Sequence, residues 1–178
     1  MGEGLALEEA LAFLEEPSLL EVDDLLDILS APFKRTPFPT DRRFSNGEFG
    51  VLYTARTPGT ADLEYAHWAR QLWNPNSTLR VRLNLISCRF EGIVKDVRPL
   101  LPECPWLIED DYSECQKLGA AAHAEGLAGL VAPSARDRPD GTTIPIFSET
   151  AVSEPMEQGT VIFTVSAIEQ TSFEIVAA

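Results

Sequence analysis

Three places in the chain carry polar residues that packing alone does not demand: a basic turn at Arg42 and Arg43, Tyr53 followed by Glu64, and Ser134 with Arg136. The turn reads Arg42-Arg43-Phe44-Ser45-Asn46-Gly47, and in a chain of formal charge −14 a local cationic patch is where an anionic ligand is to be sought. Taken singly, each residue has an ordinary explanation. A lone arginine is commonly a surface cation, and Tyr53 within Val51-Leu52-Tyr53 suits a core ring whose hydroxyl finds a partner. Glu64 suits a solvated helix face, although Leu63 and Tyr65 beside it suggest crowding. Ser134, in Pro133-Ser134-Ala135-Arg136, suits a strand end whose backbone it satisfies. Ser134 lies in no G-x-S-x-G elbow, and His67 and His123 are the only histidines, so a serine-hydrolase triad is poorly served. Neither a G-x-G-x-x-G dinucleotide fingerprint nor a P-loop is present.

The elements that must position these groups follow from periodicity and punctuation. Leu7, Leu11 and Leu14 predict a helix over 5–15, and Val22, Leu25, Leu26 and Leu29 predict a second over 19–29. Three prolines predict an extended loop over 31–42. Phe49 to Ala55 reads as a buried strand. Thr57-Pro58-Gly59-Thr60 turns the chain into a helix from about Ala61 to Leu72. Alternation predicts a strand from Leu79 to Ser87, and a second from Phe90 to Val97 after a tight turn. Asp110, Asp111 and Ser113 offer caps for a helix through about Glu125, ended by Gly126. Strands are predicted at Ala128–Ala132 and Thr142–Phe147, with a C-terminal hairpin over 159–177. Hairpin-like links outnumber βαβ crossovers, which predicts an α+β fold of mostly antiparallel sheets with flanking helices.

At 178 residues, with 44% hydrophobic and 24% charged side chains, the chain is expected to fold as one soluble domain, 1–178. Residues 1–30 hold nine acidic and no basic side chains, an acidic helical extension without the basic start of a signal peptide. A cytoplasmic location is expected, with no membrane contact, and Cys88, Cys104 and Cys115 as reduced thiols rather than metal ligands. The acidity argues against direct nucleic-acid binding.

Joined in order, the motifs resemble the RES domain, a family named for its Arg, Glu and Ser. Arg43 stands ten residues before Tyr53 in Gly50-Val51-Leu52-Tyr53-Thr54-Ala55, which looks like the family's first block; that spacing favours Arg43 over Arg42 as the functional arginine. Thr60-Ala61-Asp62-Leu63-Glu64 looks like its second block. Gln116-Lys117-Leu118-Gly119 with Gly126 to Arg136, ending Pro-Ser-Ala-Arg, looks like its third. The resemblance covers about residues 40–148.

The resemblance implies an ADP-ribosyltransferase-like fold and an enzyme that takes NAD as substrate, without a metal. It implies the toxin half of a bacterial type II toxin–antitoxin system, partnered by an antitoxin whose helix-turn-helix domain binds the DNA. Breaking the nicotinamide–ribose bond passes through an oxocarbenium-like sugar. Glu64 suits a carboxylate under the ribose, Arg43 a donor fork for the pyrophosphate with Arg136 a lesser candidate, and Tyr53 a ring stacked beside nicotinamide. Ser134 suits a hydrogen bond either to the nicotinamide-side ribose or to Glu64. The acceptor is expected to be a protein, because the terminal extensions offer an acceptor surface; water or inorganic phosphate are the alternatives, making a glycohydrolase or a phosphorylase. A non-catalytic binding module is the reading from another class, and the joint presence of Arg43, Tyr53, Glu64 and Ser134 argues against it.

Overall fold

The computed structural model describes residues 22–34, 42–74, 77–165 and 172–176. The expected helix over 5–15 lies outside these residues. Helix α1 spans Val22–Lys34 and buries Leu25 and Leu29 of the apolar stripe read from the sequence, while Leu26 of that stripe is exposed. It continues through Pro32, where an extended loop was expected from residue 31. Tertiary packing overrides the proline: Phe33 enters a core cluster with Ala128, Ile146 and Ala151, and the backbone of Pro32 and Phe33 closes on Gly50, where a Cβ would collide. The remainder of that expected loop, 35–41, lies outside the described residues.

Strand β1 is Leu52–Ala55, shorter than the Phe49–Ala55 run and only half-buried. Residues 46–49 instead form a turn in which Ser45 Oγ accepts from Gly47 N and donates to the Phe49 carbonyl. Helix α2 spans Pro58–Leu72, with Thr57 as N-cap and proline at its start. Strand β2 (Leu79–Phe90) is continuous where the reading put a turn before Phe90. The chain then passes Gly92, which packs against Ala128 too closely for a side chain, into the short strand β3 (Val94–Asp96) of a different sheet. Helix α3 spans Ser113–Ala124. Asp111 receives Ser113 N at 2.9 Å before its start, and Gly126 takes φ 75° after its end. Strands β4 (Gly129–Pro133), β5 (Thr142–Ile146), β6 (Val152–Val165) and β7 (Ser172–Val176) follow. The C-terminal hairpin is therefore real but begins earlier, because β6 pairs along nearly the whole of β2.

The fold is α+β with mostly antiparallel sheets. One sheet has the order β1-β5-β4-β3, parallel only at β3–β4; the other has the order β2-β6-β7. The main core gathers Phe44, Val97, Leu107, Cys115, Leu130, Ala132 and Phe147 between α3 and the first sheet. A second core sets Ala66 and Ala69 of α2 against Phe163 and Val165 of β6, with Tyr65 edge-on to Phe163 at 5.1 Å. One face of α2 is thus committed to the smaller sheet. A different stripe, Thr60, Glu64, His67 and Gln71 at spacings of four, three and four, carries its polar groups. Cys88, Cys104 and Cys115 are free thiols. No helix among the described residues is long and apolar enough to cross a membrane.

Candidate active site

The apolar strand β4 delivers Ser134 to a buried turn, where it is 2% exposed. Its hydroxyl accepts from Asp137 N at 2.9 Å and Arg136 N at 3.1 Å, and donates to Glu64 Oε1 at 2.6 Å. A hydroxyl has two acceptor positions and one proton, so the two backbone donors leave that proton one direction. Ser134 is thereby a donor to Glu64, and no histidine is hydrogen-bonded to it among the described residues. The second carboxylate oxygen of Glu64 has no hydrogen bond among the described residues.

A parallel tie lies one turn earlier on α2. Thr60, 1% exposed, donates to Asp137 Oδ2 at 2.6 Å and sits 2.9 Å from the Thr57 hydroxyl that caps the helix. Two residues of the 134–137 turn therefore grip two successive turns of α2. A cleft of about 240 Å³ shares Thr60 and Asp137 with this tie and is bordered by Arg56, Arg138 and Thr142.

Tyr53 is not the core ring that the ordinary explanation suggests. The residue is 38% exposed while its hydroxyl accepts from Phe44 N at 2.9 Å. Desolvation raises the hydroxyl's pKa well above the usual tyrosine value, against the opposing pull of the Phe44 amide, Arg42 and Arg43. A fixed hydroxyl on a partly exposed residue results.

The two neighbouring arginines diverge. Arg42 lies over the Trp68 ring of α2 at 5.2 Å, and its carbonyl accepts from Gln116 on α3 at 3.2 Å. Arg43 turns the other way, donating to the carbonyls of Glu109 at 2.6 Å and Leu107 at 3.3 Å, with its guanidinium 4.7 Å over Tyr112. Arg136 pairs with Asp110 at 2.5 Å, and its buried Nε has no partner among the described residues.

His67, on the same stripe of α2 as Glu64, was not singled out as a site residue from sequence, yet it feels the charges of several of these groups. Burial lowers its pKa first; Arg136 and Arg43 lower it too, and Asp110 and Glu64 oppose them. Its Nε2 lies 3.1 Å from the Gln71 amide nitrogen, a contact that suits a neutral ring. The available signal was the polar stripe from Thr60 to Gln71; Asp110 and Asp137 had none, since each acts across the fold. The structure thus joins Glu64 to Ser134 directly and Arg136 to that turn through its backbone. Arg43 is tied instead to the 107–112 segment that carries Asp110, and Tyr53 to the arginine turn.

Chemically, this is a carboxylate with one oxygen hydrogen-bonded to Ser134, a partly exposed tyrosine, and a largely buried arginine whose Nε has no partner among the described residues. Such a set fits a cationic sugar flanked by an anion. Comparison with curated proteins finds no match. The RES domain family model matches residues 20–166, a family associated with toxin–antitoxin systems and with NAD-utilising activity. With its arginine turn, its glutamate on α2 and its serine after β4 lying inside that match, the chain belongs to the RES domain family.

Proposed function

We propose that the protein is the toxin of a type II toxin–antitoxin pair that cleaves the nicotinamide–ribose bond of NAD and transfers ADP-ribose to a protein acceptor. The observation that carries this reading is the 2.6 Å bond from Ser134 to Glu64, which orients one carboxylate oxygen and leaves the other for the ribose. As the C–N bond breaks, its electron pair goes to the pyridinium nitrogen and nicotinamide leaves neutral. The positive charge left on the sugar is stabilised by Glu64. Tyr53 offers its ring to the nicotinamide, and Arg43 and Arg136 take the pyrophosphate. The unpartnered Nε of Arg136 supports an anion there, because a buried donor without an acceptor is costly. The acceptor's nucleophile then bonds to the anomeric carbon and releases its proton.

Inorganic phosphate as acceptor is the second reading; Arg56 borders the cleft beside Thr60, where Arg138 is committed to the Ala135 and Ile108 carbonyls and Asp137 and Asp140 share the lining. Purified protein incubated with labelled NAD, with and without lysate and phosphate, separates the readings. Label on a protein band supports transfer, and a phosphorylated ADP-ribose product supports phosphorolysis. Free ADP-ribose alone supports hydrolysis, and unreacted NAD throughout leaves a binding module. Control by an antitoxin carrying a helix-turn-helix domain belongs to the same proposal; a gene for such a protein beside this one supports it.

A further inference from the structure

The segment Leu107 to Asp110 is held by three arginines from two distant parts of the chain. Arg43 takes the carbonyls of Leu107 and Glu109, Arg138 the carbonyl of Ile108 at 3.1 Å, and Arg136 the carboxylate of Asp110. The pair at Arg136 is lopsided. The arginine side chain is 17% exposed and that of Asp110 is 77% exposed, so the cation is built into the wall and the carboxylate rests on it from solvent. A guanidinium committed to a carboxylate usually meets it with two parallel N–H bonds. Here a single Nη2 bond is made and Nε has no partner among the described residues. The hydrogen bond and charge of Arg136 hold the Asp110 carboxyl below the usual carboxylate range, with Arg43 adding a smaller pull.

We propose that Asp110 is an internal placeholder for the anion at Arg136: a phosphate-bearing ligand must displace it, so Asp110 sets the threshold for ligand entry. This rests on the reading that Arg136 holds the NAD pyrophosphate. A phosphate offers oxygens to Nη2 and Nε together, which the carboxylate in its present position does not do. Displacement is cheap, because a solvent-facing ion pair contributes little. Asp110 thus keeps the arginine from adventitious monoanions and still yields to a diphosphate.

The test is titration of the full chain with ADP-ribose, which contains the pyrophosphate and has no bond left to cleave, in wild type, Asp110→Asn, Arg136→Ala and the double variant. Asp110→Asn is expected to tighten binding by about two- to fivefold, the range of an exposed ion pair. Arg136→Ala is expected to weaken it about tenfold or more, and in that background Asp110→Asn should change nothing. Unchanged or weaker binding by Asp110→Asn, with Arg136→Ala still weakened, overturns the placeholder and leaves the pyrophosphate site standing. Undiminished binding by Arg136→Ala, or no binding by wild type, overturns the site reading itself. Asp110→Ser, with melting curves for each variant, separates a charge effect from a folding defect.

Discussion

Thr60 donates to Asp137 at 2.6 Å one helical turn before Glu64 receives the proton of Ser134 at the same distance. The two bonds connect the same helix to the same turn, so the position of the Glu64 carboxylate depends on a contact it does not make. Thr60→Val keeps the shape and deletes the tie, leaving the Asp137 oxygen without its partner. The expected cost is about 1–3 kcal/mol in denaturant unfolding, with a fall in the rate of NAD cleavage. An unaltered rate in a destabilised protein would confine Thr60 to a structural role.

Ser134→Ala removes a donor to Glu64 and the acceptor of two backbone N–H groups. Its main kinetic effect is expected in kcat. Glu64→Ala should lower kcat by about a hundredfold or more and abolish growth arrest on expression. Arg43→Ala should act on KM, since its proposed partner is the part of the substrate that does not react. Steady-state kinetics of the three variants checks the division.

Tyr53→Phe keeps the ring and strands the Phe44 amide that the hydroxyl now satisfies. The expectation is a loss of about 1–3 kcal/mol in stability with KM for NAD nearly unchanged, whereas Tyr53→Ala raises KM. If the two variants bind NAD equally badly, the hydroxyl and not the ring is what matters to the ligand.

His67 has a folded pKa below its ordinary value, so below about pH 6.5 the unfolded chain binds more protons at this residue than the folded one. Its contribution to stability is present above that pH and is lost as pH falls through the window. Melting temperatures of wild type should drop between pH 7 and pH 5.5 more than those of His67→Gln. Parallel curves would mean that the ring titrates alike in both states.

The chain's local signals reach only a few residues, and within that range they hold. Thr57-Pro58 starts α2 and Gly126 follows the end of α3, because caps and left-handed turns depend on immediate neighbours. The apolar run before Ser134 is a buried strand, and the ordered spacing of Arg43, Tyr53, Glu64 and Ser134 carried the resemblance. Tertiary structure decided the rest. Pro32 stays helical because Phe33 has a core to enter, and the chain leaves β2 for another sheet at Gly92 because only glycine fits against Ala128. Arg42 and Arg43 are adjacent in sequence, yet one faces Trp68 and the other the 107–112 segment. Glu64 and Ser134 are 70 residues apart, and no periodicity spans that distance. Residue types could nominate the carboxylate and the hydroxyl. The direction of the serine's one proton followed only when two backbone amides of the folded turn occupied its remaining positions.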